Sequence, residues 1–482
     1  MTATTSQPSG SGPSQRSLQS AIDEAGNLID FIRAPKQWDR IGPPDYSPGL
    51  IMPQIPYEFS NWEREQRAWR ETVALFDQSH HMNGLYLSGP DTLEFVSGLA
   101  CNALANSTPG RAHQILTCND DGFLIGDGIL FHLASGEMFM CGAPFAVNWV
   151  RYNAEHTDLN VSAIYEPRSP VFANGHANTR RNCRYQIQGP NAWALIEKLN
   201  GGPLEDVKFF HFTELNIGGH RVQGLRHGMA GAAGLEIWAP WELRDEIRGT
   251  IVEAGREFGL AIVGALAYLS GAAEGGWIAA PVPAIFSDSL RSYREWLPAA
   301  EMEGLYRLAG SHLSDSIEDF YTTPHDLGYA KIVNLEHEFV GRDALSSLDT
   351  SKARRPVSLI WNEDDTAALM KTMLDPDGPN VKPLHLPLLE GDQTIAPFNT
   401  VTVNDAFVGF AHSSTYSVNE RAVITLATIE PHVQHGDEVV MQWGEAGGGF
   451  GDQVVPADVL TSIRCRVEPV PYSRFARSEY RA

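Results

Sequence analysis

No run of residues in this chain approaches the roughly 20 consecutive apolar positions of a membrane-spanning helix. Cysteine is scarce: the five (Cys101, Cys118, Cys141, Cys183, Cys465) are odd in number and show no CxxC spacing, which argues against a disulfide framework and a zinc site. A reducing, cytoplasmic location is the expectation. Positive charge is also short, 36 basic against 59 acidic groups for a net charge of −23. That balance excludes nucleic acid and anionic membranes as expected partners, since both require a positive field. A small anionic ligand would need a local cationic pocket. The opening stretch MTATTSQPSGSGPSQRSL has no apolar core of the kind a secretory signal carries, and residues 1–18 are expected to form a disordered tail. Three motif-like passages fail on spacing. GEAGGGFGD lacks the GK[ST] ending of a phosphate loop, HEFVG at His337 is not HExxH, and GMAGAAG lacks GxGxxG. No metal site is expected.

What is present is a soluble, globular composition, 43% apolar and 20% charged, over 482 residues, which exceeds one ordinary core. Two passages align at an offset of one hundred residues: LYLSGPDTLEFVSGL (85–99) and YQIQGPNAWALIEKL (185–199). Each alternates like a strand, turns at Gly-Pro and then shows helical spacing, which suggests an internal duplication with two similar α+β halves. In the first, Ser88 and Asp91 have capping-box spacing. Ser135-Gly136 suits a hairpin turn, and Leu243, Ile247, Ile251 and Val252 mark one face of a helix over about 241–258. After the basic, Ser-rich junction SSLDTSKARRP, strand-like VTVNDAFVGFAHSSTYS and AVITLATI predict a β-barrel-like domain. The expected division is a tail (1–18), a first α+β domain with an N-terminal extension (19–180), a second α+β domain (181–350) and the barrel-like domain (351–482).

LFDQSHHM, YLSGPDTLEF, NDDGFLIGDGILF, IQGPNA, GLEIWAP, LGYAKIV with EFVGRDAL, and GFAHSSTYS occur in this order. In that order they resemble the motifs of the glycine-cleavage T-protein (aminomethyltransferase) superfamily. Within it, the length, the extension PYEFSNWEREQRAWR and Gln78-Ser-His-His81 resemble the tetrahydrofolate-dependent aryl O-demethylases of the vanillate and syringate type. The resemblance implies an α+β folate-binding fold, two similar halves around a central channel with a C-terminal barrel. It implies transfer of a methyl group from a methoxylated aromatic to N5 of tetrahydrofolate. Other readings are an aminomethyltransferase, a demethylase of a small N- or S-methyl compound, and a non-catalytic folate-binding protein. The last lacks its KGCYxGQE-like motif here. T-proteins typically read GARDSLR where this chain has Gly264-Ala-Leu-Ala-Tyr-Leu, and they place a carboxylate where this chain has Gly126.

By resemblance Tyr268 is the catalytic and substrate-binding candidate, with Gln78 and His81 beside it on the substrate. A phenoxide leaves poorly, because its conjugate acid has a pKa of about 10, so a donor at the ether oxygen helps. At most one of His80 and His81 should face the substrate. Glu236 is the candidate for the pterin's 2-amino and N3–H donors through two parallel hydrogen bonds. Trp277 offers a face for stacking a folate ring, and Gln114 and Asp127 are further lining candidates. The small residues between Tyr268 and Trp277 are expected to leave room for both reactants. The arginine that the demethylase branch would carry near FMCGAPFAVNWV is missing around Ala143 and Pro144, and Met52 stands where an aromatic is expected. Arg111 or a histidine would then pair a substrate carboxylate, or the substrate carries another group.

Overall fold

The computed structural model describes residues 16–33, 54–169, 180–389, 395–446 and 459–479. Met52 and most of the 1–18 tail lie outside them. Arg16, Ser17 and Leu18 do not behave as tail: Ser17 caps the helix Leu18–Ala25 and Leu18 is fully buried.

Two antiparallel-rich sheets and a barrel carry the fold. The first sheet has the strand order Arg111–Cys118, Leu124–Ala134, Glu137–Gly142, Asn83–Ser88, Ser162–Glu166. Ser135-Gly136 makes the expected hairpin, with Gly136 at φ 70°. Leu85, Leu130, Met140 and Ile115 on one face pack under the helices Thr92–Leu99 and Pro144–Glu155. The second sheet runs Leu260–Ile262, Val73–Asp77, Asn182–Gln188, Gly234–Pro240, His220–Leu225, Phe212–Ile217. Helices Ala192–Asn200 and Arg244–Gly255 cover it, the latter burying Ile247 and Ile251. Six strands from Arg355–Trp361 to Thr461–Glu468 close the C-terminal barrel.

The two strand–Gly-Pro–helix units correspond in detail. Gly89 and Gly189 sit at φ 145° and 131°, and a Cβ there would lie 2.1 Å from Asn160 O and 2.6 Å from Thr72 O. Only glycine fits either turn. The expected capping box does not form. Ser88 ends its strand, Asp91 precedes the helix without a side-chain cap, and its carboxylate accepts from Asn160 N instead. Thr92 Oγ1 donates to Gly89 O (2.9 Å) and closes the turn.

The halves are not sequential. Val73–Asp77 precedes every strand of the first sheet yet pairs antiparallel with Asn182–Gln188 and parallel with Leu260–Ile262 in the second. The helices Trp62–Glu71 and Ala265–Gly275 pack beside it, burying Trp69, Phe76 and Tyr268 in one cluster. A boundary at residue 180 therefore cuts through a shared sheet. The faces turned away from the helices oppose one another, and Phe131, Phe139, Cys141, Leu225 and Trp238 meet between the sheets.

Candidate functional site

Tyr268 is set by the start of its helix. Gly264 N donates to buried Glu65 Oε2 (2.8 Å), and a Cβ on Gly264 would meet Tyr57 O at 2.4 Å, so the helix begins tight against residues 57 and 58. The small residues that follow serve packing rather than open space. A Cβ on Gly275 would meet Met229 O at 2.7 Å, Gly271 faces Ala230, Ser270 Oγ accepts from Gln66 and Glu274 accepts from Trp69 and Ser417. The expectation that this stretch leaves room for two reactants is therefore corrected.

The phenol of Tyr268 is buried and meets three groups. Gln78 Nε2 donates to its oxygen at 3.2 Å, His81 Nε2 lies 3.1 Å away, and the hydroxyl faces Met229 Sδ at 3.3 Å. Gln78 and His81 are delivered by the end of Val73–Asp77. Arg180 holds the turn that carries them, donating to Ser79 O (3.1 Å) and Met82 O (2.8 Å), while Gln78 N bonds Arg184 O. His80 turns the other way, to Ser169 Oγ (3.2 Å) and the edge of Trp241. Only His81 of the pair reaches Tyr268.

Burial, and then the nearby Arg184, lower the His81 pKa to about 3, so the imidazole is neutral near pH 7. Burial also holds the Tyr268 phenol well above its ordinary 10, so it keeps its proton. Two buried polar atoms in this group, Gln78 Oε1 and His81 Nδ1, have no hydrogen-bond partner among the described residues. Such atoms are costly unless something supplies the missing partner.

Gln186 extends the cluster: its Oε1 accepts from Gln78 Nε2 (3.3 Å), Gln188 Nε2 and Met229 N (3.3 Å). Directly across the ladder stands Glu236, whose neighbours Leu235 and Ile237 point to the helix side. Glu236 is 1% exposed, so it is no surface carboxylate. Its Oε1 takes Arg184 Nε (2.9 Å) and Nη2. The paired hydrogen bonds expected of this carboxylate thus compete with a resident guanidinium on one oxygen.

Gln114, Asp127 and Trp277 meet in a second group. Asp127 Oδ2 accepts from Gln114 Nε2 (2.9 Å) and Trp277 Nε1 (3.3 Å), and Gln114 also donates to Tyr329 Oη (3.0 Å). Burial raises the Asp127 pKa against the lowering from these donors. Trp277 remains 38% exposed, presenting ring surface outward. Tyr268 lies in the first turn of the helix Ala265–Gly275, whereas Trp277 follows the left-handed cap Gly276 at its other end.

Besides burial, Arg184, Arg168, Arg180 and then His80 lower the His81 pKa. Gln186, Arg184, Met229 and Tyr329 were missed by sequence reasoning. For two of them a signal was present: in a strand buried on both faces, Arg184 and Gln186 alternate with Cys183, Tyr185 and Ile187, which marks a polar inner face. Met229 lies on a loop with no such pattern.

Among the described residues no group of three or more His, Cys, Asp or Glu could hold a metal, and no helix is long and apolar enough to cross a membrane.

The family profile described as GCVT N-terminal domain matches residues 36–281. The chain is 35% identical over 467 residues to the syringate O-demethylase of Sphingobium sp. (strain NBRC 103272 / SYK-6), covering 96% of this chain and 98% of that one. It is 25% identical to the sesamin methylene transferase of Sinomonas sp. (strain No.22), over 82% of this chain and 87% of the other. In structure it is similar to the glycine cleavage system aminomethyltransferase T from Bartonella henselae, with a TM-score of 0.57 at 17% identity over 87% of this chain and 91% of that one.

Proposed function

This chain belongs to the GCVT family, and from that premise we propose that it is a tetrahydrofolate-dependent O-demethylase acting on a methoxylated aromatic of the vanillate, syringate or 3-O-methylgallate kind. The observation that carries this reading is the buried Tyr268–Gln78–His81 group with its two unpartnered polar atoms. A hydroxylated, methoxylated ring has the donors and acceptors that Gln78 Oε1 and His81 Nδ1 lack.

The residues present fit a folate. Glu236 is a buried acceptor on the inner face, suited to the aminopyrimidinone edge through Oε2, or through both oxygens once Arg184 gives way. Asp127, Gln114 and Trp277 would line the rest, with the half-exposed indole as a stacking face. Tetrahydrofolate supplies N5, the nucleophile that takes the methyl group.

Tyr268 acts on the leaving oxygen. A phenol whose pKa is held above that of the departing phenol gives a strong hydrogen bond rather than its proton outright. For that donor to be free, His81 must carry its proton on Nε2 and donate to Tyr268 Oη, with Nδ1 left as acceptor toward the substrate. Gln78 Nε2 donates to the same oxygen, so both neighbours orient the phenol O–H away from themselves and onto Met229 Sδ (3.3 Å), a weak acceptor that the leaving oxygen would replace.

The aminomethyltransferase reading meets a steric obstacle. A Cβ on Gly126 would stand 3.0 Å from Ala146 N and 3.2 Å from Phe145 Cβ, so the carboxylate T-proteins place there would need the helix Pro144–Glu155 to give by a few tenths of an ångström. The test is a donor panel of methoxybenzoates, methoxyphenols and N-methyl glycines with tetrahydrofolate. Methyl transfer from the methoxyaromatics is expected; transfer from the N-methyl donors alone would establish the rival reading.

A further inference from the structure

The carboxylate of Glu65 is fully buried, and among the described residues no ion pair joins it. Arg67 and Arg70 of the same helix, Trp62–Glu71, pair with Glu71 and Glu420 instead. Glu65 is held by neutral donors. Its Oε1 accepts from Phe59 N (2.8 Å), Ser60 N (2.8 Å) and Ser60 Oγ (3.2 Å), and its Oε2 accepts from Gly264 N (2.8 Å). A buried carboxylate is costly unless it is hydrogen-bonded in this way, so the groups that hold it are fixed in turn.

What Glu65 fixes is the first turn of the helix Ala265–Gly275. Gly264 is the N-cap of that helix, and Tyr268 N donates to Gly264 O (2.9 Å). Ala265 N and Leu266 N donate to Pro56 O (2.9 Å) and Tyr57 O (3.2 Å), in the segment whose Phe59 and Ser60 the same carboxylate holds. Glu65 thus ties the segment 56–60 to the peptide one helical turn before Tyr268. Its neighbour Gln66 joins the two helices farther along, donating through Nε2 to Ser270 Oγ (2.8 Å) and accepting from Val418 N (2.8 Å).

Resting on the reading of Tyr268 as the donor at the leaving oxygen, the geometry points to Glu65 as a positioning residue for that donor. It sets the turn from which Tyr268 Oη meets Gln78 and His81, and it acts through Gly264 rather than on either reactant. Glu65→Gln keeps the volume but turns N–H groups toward donors. It should lower kcat by about tenfold or more, since a misplacement of about 1 Å can cost about 10²-fold. The KM for the methoxyaromatic and the affinity for tetrahydrofolate should be kept, and the loss should shrink for better leaving groups. In the Tyr268→Phe background Glu65→Gln should cost nothing further, because both changes remove one function. Gln66→Ala should lower the melting temperature without the leaving-group dependence. Glu65→Asp, with the same charge on a shorter arm, should show the Glu65→Gln signature and serves if the latter does not fold. A readout without turnover is the NMR spectrum of the full-length protein labelled at tyrosine ¹³Cζ. The Tyr268 resonance, identified by its loss in Tyr268→Phe, should move in Glu65→Gln and stay in Gln66→Ala. Full additivity with Tyr268→Phe, or a Tyr268 resonance unmoved by both Glu65 variants, overturns the proposal. If the parent protein moves no methyl group, the donor reading fails by itself, and the resonance alone decides whether Glu65 places Tyr268.

Discussion

At the scale of single residues, Tyr268 and Glu236 do different work and fail differently. Tyr268→Phe removes the donor at the leaving oxygen while leaving the ring's contacts with Phe76 and His81. Turnover should fall by about 10² to 10³-fold with tetrahydrofolate affinity kept. The loss should shrink for ring substituents that lower the phenol's pKa, because a better leaving group needs less help. A loss independent of the leaving group would return Tyr268 to packing. Glu236→Ala should weaken tetrahydrofolate binding by about tenfold or more, the worth of one charged hydrogen bond. It also strands buried Arg184, at a cost of about 3–5 kcal/mol. Adding Arg184→Met should therefore recover thermal stability without recovering folate affinity; recovery of both would remove Glu236 from the folate site.

At the scale of elements, the parts set by local rules were legible in the sequence. The two Gly-Pro turns, the Ser135-Gly136 hairpin and the apolar stripe of 241–258 depend on φ and on near neighbours. The partner of Val73–Asp77 was not legible, because nothing in VALFD says that it joins a strand more than one hundred residues later. The packing role of the Ala265–Gly275 helix was hidden likewise: small residues look the same whether they leave space or admit a neighbouring backbone. Electrostatics of the short helix Met302–Leu305 were also invisible. Glu303 is fully buried, and burial together with nearby Glu301 raises its pKa to about 7, with Asn148 Nδ2 (3.0 Å) and Tyr293 Oη (3.3 Å) donating to it. A raised carboxyl contributes stability fully present below its unfolded pKa of about 4.3 and lost as pH rises through the folded value. Glu303→Gln should thus melt higher than the parent at pH 8 and gain little at pH 5. An equal difference at both pH values would contradict the assignment.

At the scale of the molecule, the resemblance of ordered motifs carried the family and the fold, and the structure arranged their residues into two groups rather than one. Gln78, His81 and Tyr268 meet near the start of the helix Ala265–Gly275, while Gln114, Asp127 and Trp277 meet beyond its C-terminal end. The motif order could not show this separation, since it is set by which end of Ala265–Gly275 each sheet meets. The most direct measurement follows the carbon itself: a syringate- or vanillate-type substrate with a ¹³C-methoxy group is incubated with the protein and tetrahydrofolate, and the label is read by NMR. The account predicts the label on N5 as 5-methyltetrahydrofolate, with one phenol formed per methyl moved. Label that stays on every methoxyaromatic tried, while tetrahydrofolate binds, would contradict it.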